Sequence, residues 1–336
     1  MELLKQKKVL VTLIVILIIA AGAGAFFLLN GKSPLNKIIP QKAYYCPIDG
    51  REEPADLSES KPLAVMIENF ITIRPQYGLS KACMVFEALA EGGITRFVVL
   101  YGGHAKTARI GPVRSARPYY VDIATGFDAI YAHAGGSVAG LARINEDGVD
   151  DLNYSNSKYF WRDDSRSAPH NLYTSTEMLR KAIVALGYDE NASYTGFDFK
   201  HKEKPNKKNK GQVIGINFSM SSYYTSYQYV PKTNSYDRFN AHILQQDAQT
   251  QKTISPKNVV VLYAQTTGAI GPTLDIEVVG EGPALFFFDG KTVSGSWSKD
   301  SASSQFVFKD EKDRNILLNA GQTWVEVVKT ETKVTY

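Results

Sequence analysis

The chain has 336 residues, 44% of them hydrophobic and 21% charged, which excludes collagen-like, low-complexity and wholly disordered classes. Its net charge of +4 is too small and too dispersed for a dedicated nucleic-acid binder, and no nucleic-acid partner is expected. Two cysteines exclude a disulfide scaffold and a cysteine-only zinc site.

Residues 9–29 carry no charge over 21 positions. As a helix this run spans about 30 Å, the thickness of a bilayer's hydrocarbon core. Lys5, Lys7 and Lys8 precede it, so residues 1–8 are expected to be a cytoplasmic tail, 9–29 a single-pass transmembrane anchor in the cell membrane, and the main body extracytoplasmic. Small residues at 20–25 also fit a cleaved signal peptide, but Phe26-Phe27-Leu28-Leu29 continues the apolar run and favours an uncleaved anchor. Residues 30–60, with Pro34, Pro40, Pro47 and Pro54, read as a tether. Cys46 lies within it, expected near the surface, whereas Cys83 sits in an apolar run and reads as buried. The extracytoplasmic compartment permits a Cys46–Cys83 disulfide without establishing it.

An α+β domain is expected over 61–199. Residues 63–67 form its first strand, and 82–90 with 94–101 flank Glu91-Gly92-Gly93 as a hairpin. A helix over 79–90 is the alternative, because that run is short and apolar on both faces. Ser115 is placed to cap a helix through 119–125. A strand at 128–133 leads through Gly135-Gly136-Ser137 into a short helix at 138–145. Thr174 and Glu177 form a capping box for a helix ending at Gly187. The lysine run 200–211, broken by Pro205, Asn206 and Asn209, reads as a solvated linker. Residues 212–336 carry short β-branched and aromatic runs, at 213–218, 223–230, 258–265, 274–279, 285–288, 305–308 and 324–328. Asp289-Gly290 marks a hairpin among them, so this second domain is expected to be mostly β.

Arginine is segregated. Residues 91–180 hold eight of the twelve arginines and only two lysines. A planar five-donor fork is favoured where carboxylates or phosphates are held in fixed geometry. Ten acids lie in the same segment, so internal ion pairing and an anion site both account for the pattern. Three clusters carry the ligand-binding expectation. Arg114, Ser115 and Arg117 stand at a helix start, where free backbone N–H groups attract anions. His133, Gly135, Gly136 and Ser137 form a strand–turn–helix junction that lets backbone approach a ligand. Arg162, Arg166, His170 and Asn171 lie on a polar loop. The same residues allow a cell-wall-directed hydrolase or transferase using Ser137, on a turn one glycine short of a nucleophile elbow with Asp163 or Asp164 and then His170 in hydrolase order, or using His133 and His170. Ser137 is equally explained as a helix cap. No metal site is expected, since His133 and His170 lack ligand spacing and His104, His201 and His242 read as surface residues. No cofactor is expected either.

These motifs resemble the YerB family. The resemblance rests on Leu63-Ala64-Val65-Met66-Ile67-Glu68-Asn69, Arg74-Pro75-Gln76, Glu91-Gly92-Gly93-Ile94-Thr95-Arg96, residues 110–117, the His133–Ser137 turn and residues 166–171. Later blocks, Tyr236-Asp237-Arg238, 258–261, Gly295-Ser296-Trp297 and Gly321-Gln322-Thr323-Trp324, are similar to the family's C-terminal domain. The resemblance implies a two-domain bacterial envelope lipoprotein and supplies no reaction. A lipobox cysteine would directly follow the apolar segment, yet the nearest is Cys46, so the anchor helix is expected to replace lipidation. The resulting expectation is a non-catalytic envelope protein that binds a cell-wall ligand or another envelope protein.

Overall fold

The computed structural model describes residues 2–30, 43–155, 157–209, 211–268 and 274–336. The chain divides into two units, Met1–Ala43 and Tyr44–Tyr336. In the first, Glu2–Asn30 is one helix, α1. Among the described residues no helix is long and apolar enough to cross a membrane; within α1 the longest run of described side chains is 11–22. Residues 31–42 of the expected tether lie outside the described residues. Residues 44–60 of it are part of the folded body, with Tyr44–Tyr45 pairing antiparallel with Glu52–Glu53. Cys46 in the turn between them is buried, contrary to its expected surface position.

After this hairpin come β1 (Leu63–Glu68), β2 (Met84–Leu89) and β3 (Thr95–Tyr101), each apolar on both faces and buried nearly throughout. Strands apolar on both faces belong between layers. The β2–β3 hairpin turns at Glu91–Gly93 as expected, and the helical alternative reduces to a single turn at Leu79–Lys81. Helix α2 (Pro118–Thr125) begins with proline at its first turn, so its cap is Arg117 and Ser115 lies outside it. Next come β4 (Ile130–His133), α3 (Val138–Glu146) and β5 (Asp151–Asn153). Helix α4 (Thr176–Leu186) is capped one residue later than expected, Ser175 Oγ accepting from Met178 N at 3.1 Å. It stops at Gly187, whose φ of 72° costs a glycine little.

The second half supplies β6 (Val213–Asn217), β7 (Tyr224–Val230), β8 (Ser235–Asn240), β9 (Ile243–Leu244) and β10 (Asn258–Ala264). It continues with β11 (Gly280–Phe288), β12 (Lys291–Lys299), β13 (Val307–Asp310), β14 (Thr323–Lys329) and β15 (Val334–Thr335). Asp289 and Gly290, both at positive φ, turn β11 into β12 as the hairpin signal requires. Of the expected strand at 274–279, only Asp275–Ile276 pairs.

Two sheets organise the body. Five strands run β9-β8-β7-β6-β15 and ten run β13-β12-β11-β10-β14-β2-β3-β1-β4-β5. The ten-stranded sheet therefore crosses between the sequence halves at β14 and β2, which pair in parallel. Nor does the lysine segment swing free. Lys200 Nζ meets Asp289 at 2.8 Å and covers the Phe288 ring, and Asn206 N donates to the Asp289 carbonyl.

A buried polar network bonds the two sheets. Glu87 on β2 lies directly opposite Glu326 on β14. From the smaller sheet, Arg238 on β8 donates to Glu87, Tyr227 on β7 donates to Glu326, and all four are fully buried. Arg238 Nε also donates to Tyr227 Oη at 3.0 Å, and its guanidinium lies 4.2 Å from the Trp324 ring centre.

Candidate functional site

The expected site residues gather around one extended segment, 110–116, at the carboxyl ends of parallel strands β1, β4 and β5. Arg114 N donates to Met66 O and Ala134 N to Arg114 O, while Ala116 N donates to Gly135 O. The segment thus runs between the ends of β1 and β4 and carries the three clusters side by side. Open parallel sheets bind ligands at this end.

The glycine turn is structurally committed. His133 is buried, with Nδ1 at 2.7 Å from Gly135 O and Nε2 at 2.6 Å from Asp151 Oδ1. Ser137 Oγ accepts from Gly140 N at 3.0 Å, which is a helix cap. Among the described residues Ser137 makes no hydrogen bond to a histidine, so the nucleophile reading has no base. Gly135 alone faces open space, at a φ of 67° that disfavours other residues.

Most arginines of the segment are neutralised. Arg117 forks onto Glu91, donating through Nε and, at 2.7 Å, through a terminal nitrogen, while Arg96 meets the same carboxylate at 3.3 Å. Burial pulls the Glu91 carboxyl upward, but these two cations hold it below the usual carboxylate range. Arg143 pairs with Asp122 at 3.2 Å. Arg109 pairs with Asp163 and lies between the Tyr77 and Tyr173 rings, at 4.1 and 3.7 Å from their centres. The Asp163 carboxyl is held well down by Ser165, which donates to it, and by Arg109. Ser115 contributes only its carbonyl, to Arg96 at 3.2 Å.

The loop between Trp161–Arg162 and Leu172–Tyr173 is different. Its frame is Asn171, whose buried amide donates to Arg166 O at 3.0 Å and Asp163 O at 3.3 Å. On that frame Arg162 is exposed, donating to Asn171 Oδ1 at 2.7 Å and Tyr154 Oη at 3.2 Å. Half-buried Arg166 donates to the Ile73 carbonyl at 3.1 Å. Among the described residues neither has a carboxylate partner. His170 stacks on Phe70 and its Nδ1 lies 2.9 Å from Glu68. Arg114 holds the same glutamate at 2.8 Å. Thus Arg162, Arg166, His170 and Asn171 share one loop beside Arg114, which Glu68 neutralises, whereas Arg117 and His133 serve internal pairs elsewhere.

Sequence reasoning missed Glu68 and Glu91, which decide which arginines remain free, and Phe70, on which His170 stacks. Glu68 and Phe70 precede the arginine-rich segment, and nothing in their spacing links them to it. It also misread His104. That side chain is mostly buried beside Glu53 and Asp49, and with Cys46 and Cys83 it completes a group whose ligand atoms lie within 4.8 Å of one another.

The known relatives share this architecture. Residues 49–189 match the N-terminal domain, and 214–325 the C-terminal domain, of a protein family of unknown function, DUF3048. The chain is 30% identical over 292 residues to "Putative lipoprotein YerB" of Bacillus subtilis (strain 168), covering 85% of this chain and 87% of that protein. The crystal structure of the Bacillus subtilis YerB protein superposes with a TM-score of 0.77 at 28% identity, over 87% of this chain and 99% of that one. With both halves matched and the fold shared over 87% of its length, this chain belongs to the YerB (DUF3048) family.

Proposed function

We propose that this protein is a membrane-anchored, extracytoplasmic member of its family that binds an anionic envelope ligand without transforming it. The observation that carries the reading is the pair Arg162 and Arg166, two guanidinium groups on one accessible loop that, among the described residues, meet neutral acceptors and no carboxylate. A cation left without a carboxylate, on a loop held by a buried asparagine, suits a phosphate or carboxylate arriving from solution. Arg114 and His170, bridged by Glu68, lie beside this loop, and Gly135 leaves open space on the same end of the sheet. The uncharged run 9–29 within α1, preceded by lysines, supports a single-pass anchor with a cytoplasmic N-terminus. The lipoprotein name of the Bacillus subtilis relative fits a membrane-associated body outside the cytoplasm.

The test is thermal unfolding of the full chain with muropeptides and teichoic-acid fragments. A ligand at 100 times its Kd adds about 2.7 kcal/mol. For a body of this size that raises Tm by about 5 °C. Loss of the shift in the Arg162→Ala/Arg166→Ala variant supports the site. A shift that survives in that variant, or none with any of these anions, refutes it.

A further inference from the structure

The body opens with a hairpin whose turn carries Cys46 and Asp49. Cys46 N donates to Arg51 O at 2.9 Å, closing the turn. The turn lies against Cys83, just before β2, and His104, just after β3. Three segments far apart in sequence thus bring two thiols, a carboxylate and an imidazole to one point, with all four ligand atoms within 4.8 Å of one another. Cys46, Asp49 and Cys83 are buried, and His104 closes the outer side.

The spacing matches a coordination shell. A tetrahedral ion with metal–sulfur bonds of about 2.3 Å and metal–nitrogen or metal–oxygen bonds of about 2.0–2.1 Å sets sulfur–nitrogen edges near ~3.6 Å and nitrogen–oxygen edges near ~3.3 Å. Here Cys83 Sγ lies 3.7 Å from His104 Nε2, and Nε2 lies 3.5 Å from Asp49 Oδ2. The surroundings fit as well. His104 Nδ1 is 2.9 Å from Glu53 Oε2; a proton held there donates to Glu53 and turns the Nε2 lone pair into the cluster. A carboxylate behind a ligating histidine is the usual outer partner of such ions. Two thiolates, one carboxylate and a divalent cation leave one excess negative charge, and Arg51 supplies the balancing cation. Its Nε donates to Asp49 at 2.7 Å, and a terminal nitrogen reaches Cys83 Sγ at 3.8 Å. Gly102 completes the enclosure. A Cβ there would lie 2.7 Å from Cys46 Sγ and 3.3 Å from Cys83 Sγ, so the sulfurs occupy the space of its missing side chain. Gly102 N donates to Cys83 Sγ at 3.1 Å, a hydrogen bond that suits a thiolate.

We propose that Cys46, Asp49, Cys83 and His104 form a closed tetrahedral site for one divalent transition-metal cation of the zinc class, which pins the first hairpin of the body to the ends of β2 and β3. All four coordination positions are filled by protein, so the role is structural. The sequence reading expected no metal because it weighed only His133 and His170 as ligands and took His104 for a surface residue.

The test titrates the reduced full chain with Co²⁺ as an optical probe, then with Zn²⁺. One equivalent of Co²⁺ is expected to give the intense visible bands of a tetrahedral site and a sulfur-to-cobalt charge-transfer band, both abolished by equimolar Zn²⁺. Cys46→Ser and His104→Ala should each weaken binding at least 100-fold. Glu53→Gln should keep the spectrum and lose about 10–100-fold in affinity, which tests the site even where a ligand variant fails to fold. A folded, reduced wild-type chain that shows no thiolate–cobalt band overturns the proposal. So does a weak spectrum unchanged by Cys46→Ser, or a Cys46–Cys83 disulfide in metal-free protein isolated from the envelope.

Discussion

Arg238→Met is the sharpest test of how the body is held together. Methionine keeps the length of the side chain and removes its charge. In the structure Arg238 is fully buried and donates to Glu87, to Gln245 and, at 3.0 Å, to Tyr227. After substitution Glu87 keeps Asn69 Nδ2 at 3.1 Å and Thr95 Oγ1 at 2.5 Å, both neutral donors, and no cation. Stranding one member of a buried ion pair costs about 3–5 kcal/mol. At roughly 2 °C per kcal/mol for a body of this size, Tm should fall by about 6–10 °C. Circular dichroism and tryptophan fluorescence should report one shared transition, because Trp324 lies under the guanidinium and the ten-stranded sheet spans both sequence halves. Adding Glu87→Gln should recover about 2 kcal/mol, since the stranded charge is then gone. A loss under about 1 kcal/mol, or no recovery in the double variant, refutes the reasoning.

Three further substitutions separate structural charge from available charge. Burial and the facing Glu87 carboxylate push the Glu326 carboxyl well above its ordinary range. The proton it takes up on folding therefore stabilises fully below an unfolded value near ~4.3, and that contribution is lost as pH rises toward the raised folded value. Glu326→Gln should match wild type near pH ~4, exceed it by about 1–2 kcal/mol at pH ~8, and flatten the pH dependence of urea unfolding; an unchanged slope rejects a protonated Glu326. Arg114→Ala leaves buried Glu68 with His170 alone and should cost about 2–3 kcal/mol, whereas Arg166→Ala removes one bond to a carbonyl and should cost under about 1 kcal/mol. Equal losses in the two variants would remove the distinction between paired and available arginines.

What could be read in the sequence was local. Asp289-Gly290 marked its hairpin because both residues accept positive φ, and the apolar runs at 63–67, 82–90 and 94–101 became the central strands. Gly187 ended its helix, although Ser175 rather than Thr174 capped it. Strand β8 escaped notice because Arg238 and Asn240 face inward, so its pattern is polar where a core strand is expected to be apolar. The candidate site was legible in part. Arginine enrichment pointed to the segment that carries Arg162 and Arg166, but the acids that neutralise Arg114 and Arg117 sit on β1 and in the β2–β3 turn, brought near only by the sheet. The same holds for Cys46, Asp49, Cys83 and His104, which meet through strand pairing and share no motif.

The central claim, that the 161–171 loop receives an anion, is tested most directly by equilibrium binding of teichoic-acid and muropeptide fragments to the full chain at low and high salt. Binding is expected to weaken as salt screens the charges. The Arg162→Ala/Arg166→Ala variant is expected to lose at least tenfold in affinity, with its Tm within about 2–3 °C of wild type. Binding unchanged in that variant, or insensitive to salt, contradicts it.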